Sequence, residues 1–141
     1  MREIKFRAKP RNVLEIAPWV YGDYVTIKQD GHPTGFIHTP YELFDREPKS
    51  PYEEVIESTL GQYTGLHDKN GKEIYESDRV RCRLKKLPYL TKNPIELEVV
   101  YADAWGAFGL SDGGAFWYFE KATEIEVIGN IYENQEPLEK A

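Results

Sequence analysis

Residues 79–85 alternate basic and apolar side chains, in the order Arg79-Val80-Arg81-Cys82-Arg83-Leu84-Lys85. A second alternating stretch follows a loop, in the order Ile95-Glu96-Leu97-Glu98-Val99-Val100-Tyr101. A period of two is typical of a strand that buries one face, so the two stretches predict an antiparallel pair with its apolar residues inward. The pairing that we expect sets Val80 opposite Val99, Cys82 opposite Leu97 and Leu84 opposite Ile95. It also sets Arg81 opposite Glu98 and Arg83 opposite Glu96, whereas a one-residue slip would set apolar residues against glutamates.

Further short strands are predicted on both sides of this pair. Residues 3–8 alternate, and residues 19–28 are rich in aromatic and β-branched side chains. A turn at Asp30-Gly31 returns the chain over residues 35–38. The last strands are expected over 115–119 and 124–132. Residues 52–57, between prolines and a glycine, are the best of the weak helix candidates.

This spacing of strands and turns predicts a mainly β protein with little helix. We expect an N-terminal β lobe over residues 1–60, with a loop and a short helical turn. Residues 61–133 are expected to form a partly open, SH3-like small barrel that shares a core with the first lobe. The polar tail, residues 134–141, is expected to be disordered.

The composition limits the possible partners. The chain has 141 residues and a net charge of −6, whereas a general polyanion binder is expected to be basic. The single cysteine, Cys82, excludes an internal disulfide and a thiolate zinc site within one chain. No apolar stretch is long enough for a membrane helix, and the alternating start is unlike a signal peptide. We therefore expect a cytoplasmic protein.

Three stretches together resemble a known family. They are the opening MREIKFRA of residues 1–8, the central GQYTGLHDKNGKEIYE of residues 61–76, and VIGNIYEN of residues 127–134. The chain resembles the YopX family of phage and prophage proteins, and WVYG at residues 19–22 also matches. It departs from the family pattern at Ser77, where glycine is usual, and at Lys9, where an aromatic residue is common. The resemblance implies a phage or prophage origin and a β-rich fold, and it implies no reaction.

The central motif also has a structural interpretation. Glycine, aspartate and asparagine are the residues of tight turns, and Asn70-Gly71 predicts a hairpin with a type I′ turn. A glycine within a strand pattern predicts a bulge or a close backbone approach. The residues that we expect to act as structural turns are Gly65, Asp68, Asn70, Gly71, Asp78 and Gly129.

Two groups of side chains are candidates for binding. One is a basic strand face, for which a nucleic acid is the corresponding ligand: Arg79, Arg81, Arg83, Lys85 and Lys86. The glutamates expected opposite these residues largely neutralise them. The other is an aromatic cluster, too large for one face of a sheet to bury, which predicts contact with the first lobe, a second subunit or a partner: Trp105, Phe108, Phe116, Trp117, Tyr118 and Phe119.

No enzyme motif is recognisable. There is no phosphate-binding glycine loop, nucleophile elbow or zinc-protease helix, and His32 and His38 are too few to hold a metal. We therefore name no catalytic, metal or cofactor residue. The sequence favours a non-catalytic interaction or self-assembling module, as a homo-oligomer or with a host or phage protein. A nucleic-acid binder is the alternative, and an enzyme of unknown class is the second alternative.

Overall fold

The structure is a computed structural model that describes residues 3–11, 19–39, 51–85 and 94–133. Within these ranges it contains ten β-strands and a single 3-10 turn at Phe119–Lys121. The mainly β fold predicted from the sequence is therefore confirmed. No helix in the described ranges has the length and hydropathy needed to cross a membrane. The chain divides into two compact units, residues 1–63 and 64–141. The tail at 134–141 and Lys86 lie outside the described residues.

The first unit is a closed ring of four antiparallel strands. β1 pairs with both β2 and β4, and β3 joins β2 to β4, so no strand of the ring has a free edge. Its core contains Ala8, Ile37 and Val55. The small closed barrel of this protein therefore lies in the N-terminal unit. The strands are β1 (Phe6–Pro10), β2 (Val20–Gln29), β3 (His32–His38) and β4 (Tyr52–His67), of which the last continues into the second unit.

Two local irregularities lie where strands of the ring meet. The β1–β4 register shifts between Arg7 and Lys9, and the Thr59 hydroxyl accepts the Lys9 N–H there at 2.9 Å. A register shift of this kind bends and twists a strand. At Gly22, whose φ is 153°, a Cβ atom would overlap the carbonyl oxygen of His38. Only glycine therefore fits where the second strand approaches the third.

The prediction of a helix over residues 52–57 is wrong. These residues begin β4 and pair with β3, with Phe36 opposite Glu54 and His38 opposite Tyr52. Val55 is 1% exposed, in the core of the barrel. The segment is a strand because pairing with two neighbouring strands satisfies its backbone and buries Val55, which outweighs a weak local propensity for helix.

The second unit contains a five-stranded antiparallel sheet with the order β10-β6-β7-β8-β9. The strands predicted over 79–85, 95–101, 115–119 and 124–132 are all present. The inward residues predicted from the alternation, from Val80 through Val99, are buried, whereas Tyr101 is 43% exposed. The strands that follow β4 are β5 (Glu73–Tyr75), β6 (Asp78–Leu84), β7 (Ile95–Ala102), β8 (Ala107–Ser111), β9 (Phe116–Tyr118) and β10 (Ala122–Asn130).

The register predicted for β6 and β7 is wrong by two residues. Val80 lies opposite Leu97, and Arg81 lies opposite Glu96. The faces are nevertheless those predicted, because a shift of two residues keeps every side chain on the same side of the sheet. Alternation specifies the face only. In the observed register, Arg79 lies opposite Glu98, and the Ser77 N–H donates to the Val99 carbonyl at 2.8 Å.

The turn between β5 and β6 explains the glycine that is usual in the family at position 77. Ser77 has a φ of 78°, in the left-handed region that glycine occupies without steric cost. The turn is held by Asp78, which is 1% exposed and whose Oδ2 accepts the Tyr75 N–H at 2.8 Å. Ser77 also accepts the N–H of Ile131, so the backbone at this position is bonded on both sides.

We predict that Ser77→Gly stabilises the protein. Glycine removes a left-handed penalty of about 1–2 kcal/mol. It also raises the entropy of the unfolded chain, which destabilises the folded state by about 0.4–1 kcal/mol and offsets part of the gain. The free energy of unfolding, measured by urea denaturation, should therefore rise by roughly 0.5–1 kcal/mol. Ser77→Ala is the matched control, because it removes the same hydroxyl but keeps the penalty. An equal gain from both variants would show that backbone strain is not the cause.

Candidate functional site

The sheet of the second unit divides the aromatic cluster between its two faces. Trp117 lies opposite Leu110, which is fully buried, and both Trp117 and Phe119 pack against the hydrophobic core. Phe116 and Tyr118 alternate with Trp117 along β9 and therefore face the other way. Two of the six candidate interface residues, Trp117 and Phe119, thus belong to the core packing of their own unit.

Three aromatic residues remain on the outer face of the sheet, and we call Trp105, Phe116 and Tyr118 the outer patch. Trp105 is 63% and Tyr118 40% exposed. The Tyr118 ring contacts Trp105 at 6.3 Å and Phe116 at 5.4 Å between centroids, both edge to face. A Cβ at Gly109 would overlap the Phe116 ring, so this glycine leaves the space that Phe116 occupies.

Phe108 lies apart from the outer patch. It is the direct cross-strand neighbour of Tyr101, and the two rings meet edge to face at 5.1 Å. Since it precedes Gly109 by one residue, its side chain belongs to the opposite face from Tyr118. The structure therefore brings together three of the six aromatic candidates and separates the other three from them.

The central motif forms a tight turn around the carboxylate of Asp68. Oδ1 accepts the N–H groups of Asn70 and Lys72 at 2.8 and 2.9 Å, and the Gly71 N–H donates to the Asp68 carbonyl. Gly71 has a φ of 84°, whereas the φ of Asn70 is not positive. The predicted type I′ turn is therefore wrong, because that turn needs positive φ at both central positions. The Asp68 side chain, instead of the backbone alone, organises the turn.

The same turn covers one edge of the sheet. Asp68 Oδ2 accepts the Val127 N–H at 2.9 Å, and the Lys69 N–H donates to the Ile125 carbonyl at 2.9 Å. Both partners lie on β10, an outer strand of the sheet. The other outer strand is β9, which pairs only with β8 among the described residues. The sheet thus has one edge that the central motif covers and one edge with aromatic residues on it.

The other predicted turn residues lie at irregular backbone positions. Gly65, with a φ of 90°, falls near the end of β4. Gly129, with a φ of 155°, falls at a register shift between β10 and β6. Both positions favour glycine because other residues adopt such φ values only at a cost.

The basic strand face is largely neutralised by ion pairs. Arg79 is 3% exposed and lies 3.7 Å from Glu96, which also contacts Arg81 at 3.4 Å. Arg83 pairs with Glu124 at 3.0 Å. Since Arg79 is buried, its predicted position on an open basic face is wrong. The alternation placed Arg79 on the correct side of the strand but could not show what covers it.

A half-buried carboxyl group lies beside this arginine. Burial raises the pKa of Glu98, the neighbouring Arg79 guanidinium lowers it, and the charge of Glu76 raises it further, so the net pKa lies above its ordinary value. Burial also raises the pKa of the Cys82 thiol to about 11, which makes it a poor nucleophile at neutral pH. Within the described ranges, no group of three or more metal-binding side chains comes together.

A second row of basic residues, which the sequence did not point to as a site, begins at Lys5 just before β1 and continues along it. Lys5 lies over the Tyr63 ring at 5.3 Å, while Arg7 and Lys9 lie over Trp19 at 4.5 and 5.5 Å. Arg7, Trp19 and Tyr63 are each less than 10% exposed. The alternation of Lys5, Arg7 and Lys9 is visible in the sequence, but their aromatic partners are distant along the chain. These contacts are cation–π interactions within the fold, and they leave little of Arg7 for a ligand.

Fold and site together define a small, mainly β protein with a closed four-stranded barrel and a second antiparallel sheet that bears an exposed aromatic patch. The chain belongs to the YopX family, whose description is "YopX protein" and whose family model matches residues 5–139. The resemblance inferred from the three sequence stretches is therefore confirmed. No curated protein matches the chain.

One similar solved structure is described as the crystal structure of protein EF1440 from Enterococcus faecalis. It shares 24% sequence identity with this chain, and the similarity covers 96% of this chain and 98% of that one with a TM-score of 0.45.

We predict that Asp68→Asn destabilises the protein and alters its response to acid. An asparagine cannot accept all three N–H groups, so the free energy of unfolding should fall by about 2 kcal/mol. Burial opposes the charged form of Asp68, but the N–H groups of Val127, Lys72 and Asn70 and the charge of Lys72 outweigh it and hold its pKa below the ordinary value.

A carboxylate with a lowered folded-state pKa stabilises the protein above its unfolded pKa, and the effect is lost as the pH falls through the folded value. In urea denaturation from pH 6 downward, the stability of the parent should therefore fall below about pH 4 more steeply than that of Asp68→Asn. Asp30→Asn, at an exposed turn, is the matched control and should follow the parent. Parallel curves for the parent and Asp68→Asn would contradict this role.

Proposed function

We propose that this chain is a phage- or prophage-encoded, non-catalytic protein of the host cytoplasm that associates with a second copy of itself through β9 and the outer patch. The observation that carries the proposal is the exposed aromatic surface at an outer strand, with Trp105 63% and Tyr118 40% exposed. Outer strands of soluble proteins are usually protected by charge, proline or a covering segment. β9, with the sequence Phe-Trp-Tyr, has no charged residue or proline.

The contrast between the two edges of the sheet supports this location. The central motif covers β10 with hydrogen bonds from Asp68 and Lys69. Within the part of the chain that the structure describes, no strand pairs with the outer side of β9, so another strand can pair there by main-chain hydrogen bonds. A two-fold pairing of β9 with its copy would place Phe116 near Tyr118 of the second copy, and aromatic residues are enriched at the centres of such interfaces.

The size of the patch suggests a weak association. Three aromatic side chains bury at most about 450–750 Å² per copy, and part of this surface is already covered. A standard interface buries about 800 Å² per partner. We therefore expect a dissociation constant in the micromolar range, which suits an assembly that forms and separates with concentration.

The alternatives have less support. A nucleic-acid role would need Arg79, Arg81 and Arg83 to meet phosphates, but one is buried and the other two are in ion pairs with glutamates. An enzyme would need convergent reactive groups, and the buried Cys82 thiol is a poor nucleophile. A host or phage protein on the same patch remains the other occupant that the experiment below distinguishes.

We predict that the parent protein is a concentration-dependent dimer and that the double variant Trp105→Ala, Tyr118→Lys weakens it at least tenfold. The first change removes the most exposed ring, and the second places a charge on the outer strand, which disfavours edge pairing. The measurement is sedimentation equilibrium over a dilution series. The free energy of unfolding should fall only modestly, since Trp105 is 63% and Tyr118 40% exposed and neither packs against the hydrophobic core.

Tyr101→Ala is the matched control, because it removes an aromatic residue of similar exposure that contacts Phe108 outside the patch. It should dimerise like the parent. A parent that stays monomeric up to millimolar concentration would overturn self-association and favour a foreign partner. A dimer unchanged in the double variant would place the interface elsewhere.

A further inference from the structure

The first unit has an exposed apolar surface of its own on the outer side of its barrel. In the register of β2, β3 and β4, Asp23 lies opposite His38 and His38 opposite Tyr52. The next row contains Tyr24 and Ile37, and Ile37 is fully buried in the core. Because side chains alternate along a strand, the first row faces outward. Residues two apart along β2 share its face, and we call this set the tyrosine face: Tyr21, Asp23, Val25, Ile27, His38 and Tyr52.

Several apolar side chains of this face are partly exposed to solvent. Tyr21, Ile27 and Tyr52 are each 40–43% exposed. The His38 and Tyr52 rings are packed together, with centroids 4.9 Å apart, so this part of the face presents a pair of packed aromatic rings. Clustered apolar side chains on a soluble protein mark a binding surface more often than scattered ones do.

The shape of the face fits an extended ligand. From Tyr21 to Ile27 the β2 strand advances six residues, which is about 20 Å. A polyproline II peptide rises about 3.1 Å per residue, so six or seven residues span the same length. Such peptides bind aromatic surfaces with a small entropic cost because their conformation is already formed.

A single carboxylate gives the face its charge preference. Asp23 is exposed, and within the described ranges it has no ion pair or side-chain hydrogen bond. Glu54, which lies opposite Phe36, is already bound to Arg11 at 2.9 Å. The open carboxylate beside the His38–Tyr52 pair therefore favours a cationic group, which the tyrosine rings also attract.

We propose that the tyrosine face binds an extended, proline-containing peptide segment that carries an arginine or a lysine. The basic side chain lies between Asp23 and the His38–Tyr52 ring pair, and the prolines lie along β2 against Tyr21 and Ile27. This surface is distinct from the outer patch, and the proposal does not depend on self-association.

The test is an NMR titration of the ¹⁵N-labelled full chain with synthetic heptapeptides of proline and leucine. The set carries one arginine at each position in turn, and a matched set carries glutamate instead. We expect amide shifts on β2, β3 and β4 with the arginine set and at least tenfold weaker binding with the glutamate set. Asp23→Asn and Tyr52→Ala should each weaken arginine-peptide binding about five- to tenfold. Asp30→Asn, an exposed carboxylate at the hairpin turn outside the face, is the control and should bind like the parent.

Several results would overturn the proposal. Absence of shifts with every arginine peptide at millimolar concentration would do so, as would equal binding of the arginine and glutamate sets. Shifts confined to β8 and β9 would place the peptides on the outer patch instead. Stronger shifts with an oligothymidylate of eight nucleotides would make the face a nucleic-acid surface. The titration is also repeated in the Trp105→Ala, Tyr118→Lys variant, which lacks the outer patch. Peptide binding to the tyrosine face should be unchanged there, so its success or failure can be told apart from that of self-association.

Discussion

Three backbone N–H groups converge on the carboxylate of Asp68, and the second unit depends on that convergence. Two of the bonds close the turn at Asn70 and Lys72, and the third reaches Val127 on β10. A charged acceptor forms stronger hydrogen bonds than a neutral one, so one side chain both shapes the turn and attaches it to the sheet. The turn then satisfies backbone groups along an outer strand that would otherwise be open to pairing.

The opposite edge of the sheet, β9, differs from β10 because it carries aromatic residues. β9 contributes Trp117 to the core and presents Phe116 and Tyr118 outward, so a three-residue strand serves both packing and exposure. On the strands between the edges, Arg79 and Arg81 share Glu96, which reduces the charge of the outer face. An apolar contact is therefore the interaction that this face supports best. The same ion pairs are the reason why nucleic-acid binding has less support.

The two units differ in how they protect their strands, and each has an exposed apolar surface among its described residues. Closure of the first unit into a ring satisfies the edges of its strands, so binding there must use the side chains of a face instead of backbone pairing. The second unit keeps an outer strand, so binding there can use both. This difference is why we expect a peptide on the tyrosine face and a second copy of the chain on β9.

The sequence by itself determined the class of fold, the alternating strands β1, β6 and β7, and the face of the sheet to which each side chain of β6 and β7 belongs. It could do so because alternation and turn residues are local properties. It could not give the register of β6 and β7, the strand at residues 52–57 or the burial of Arg79, since each depends on residues far apart along the chain. Ser77 shows both sides: the departure from the family pattern was visible in the sequence, but only the backbone φ explains it. The tertiary structure alone decided which aromatic residues are core and which are surface, because that choice follows from which strands become neighbours.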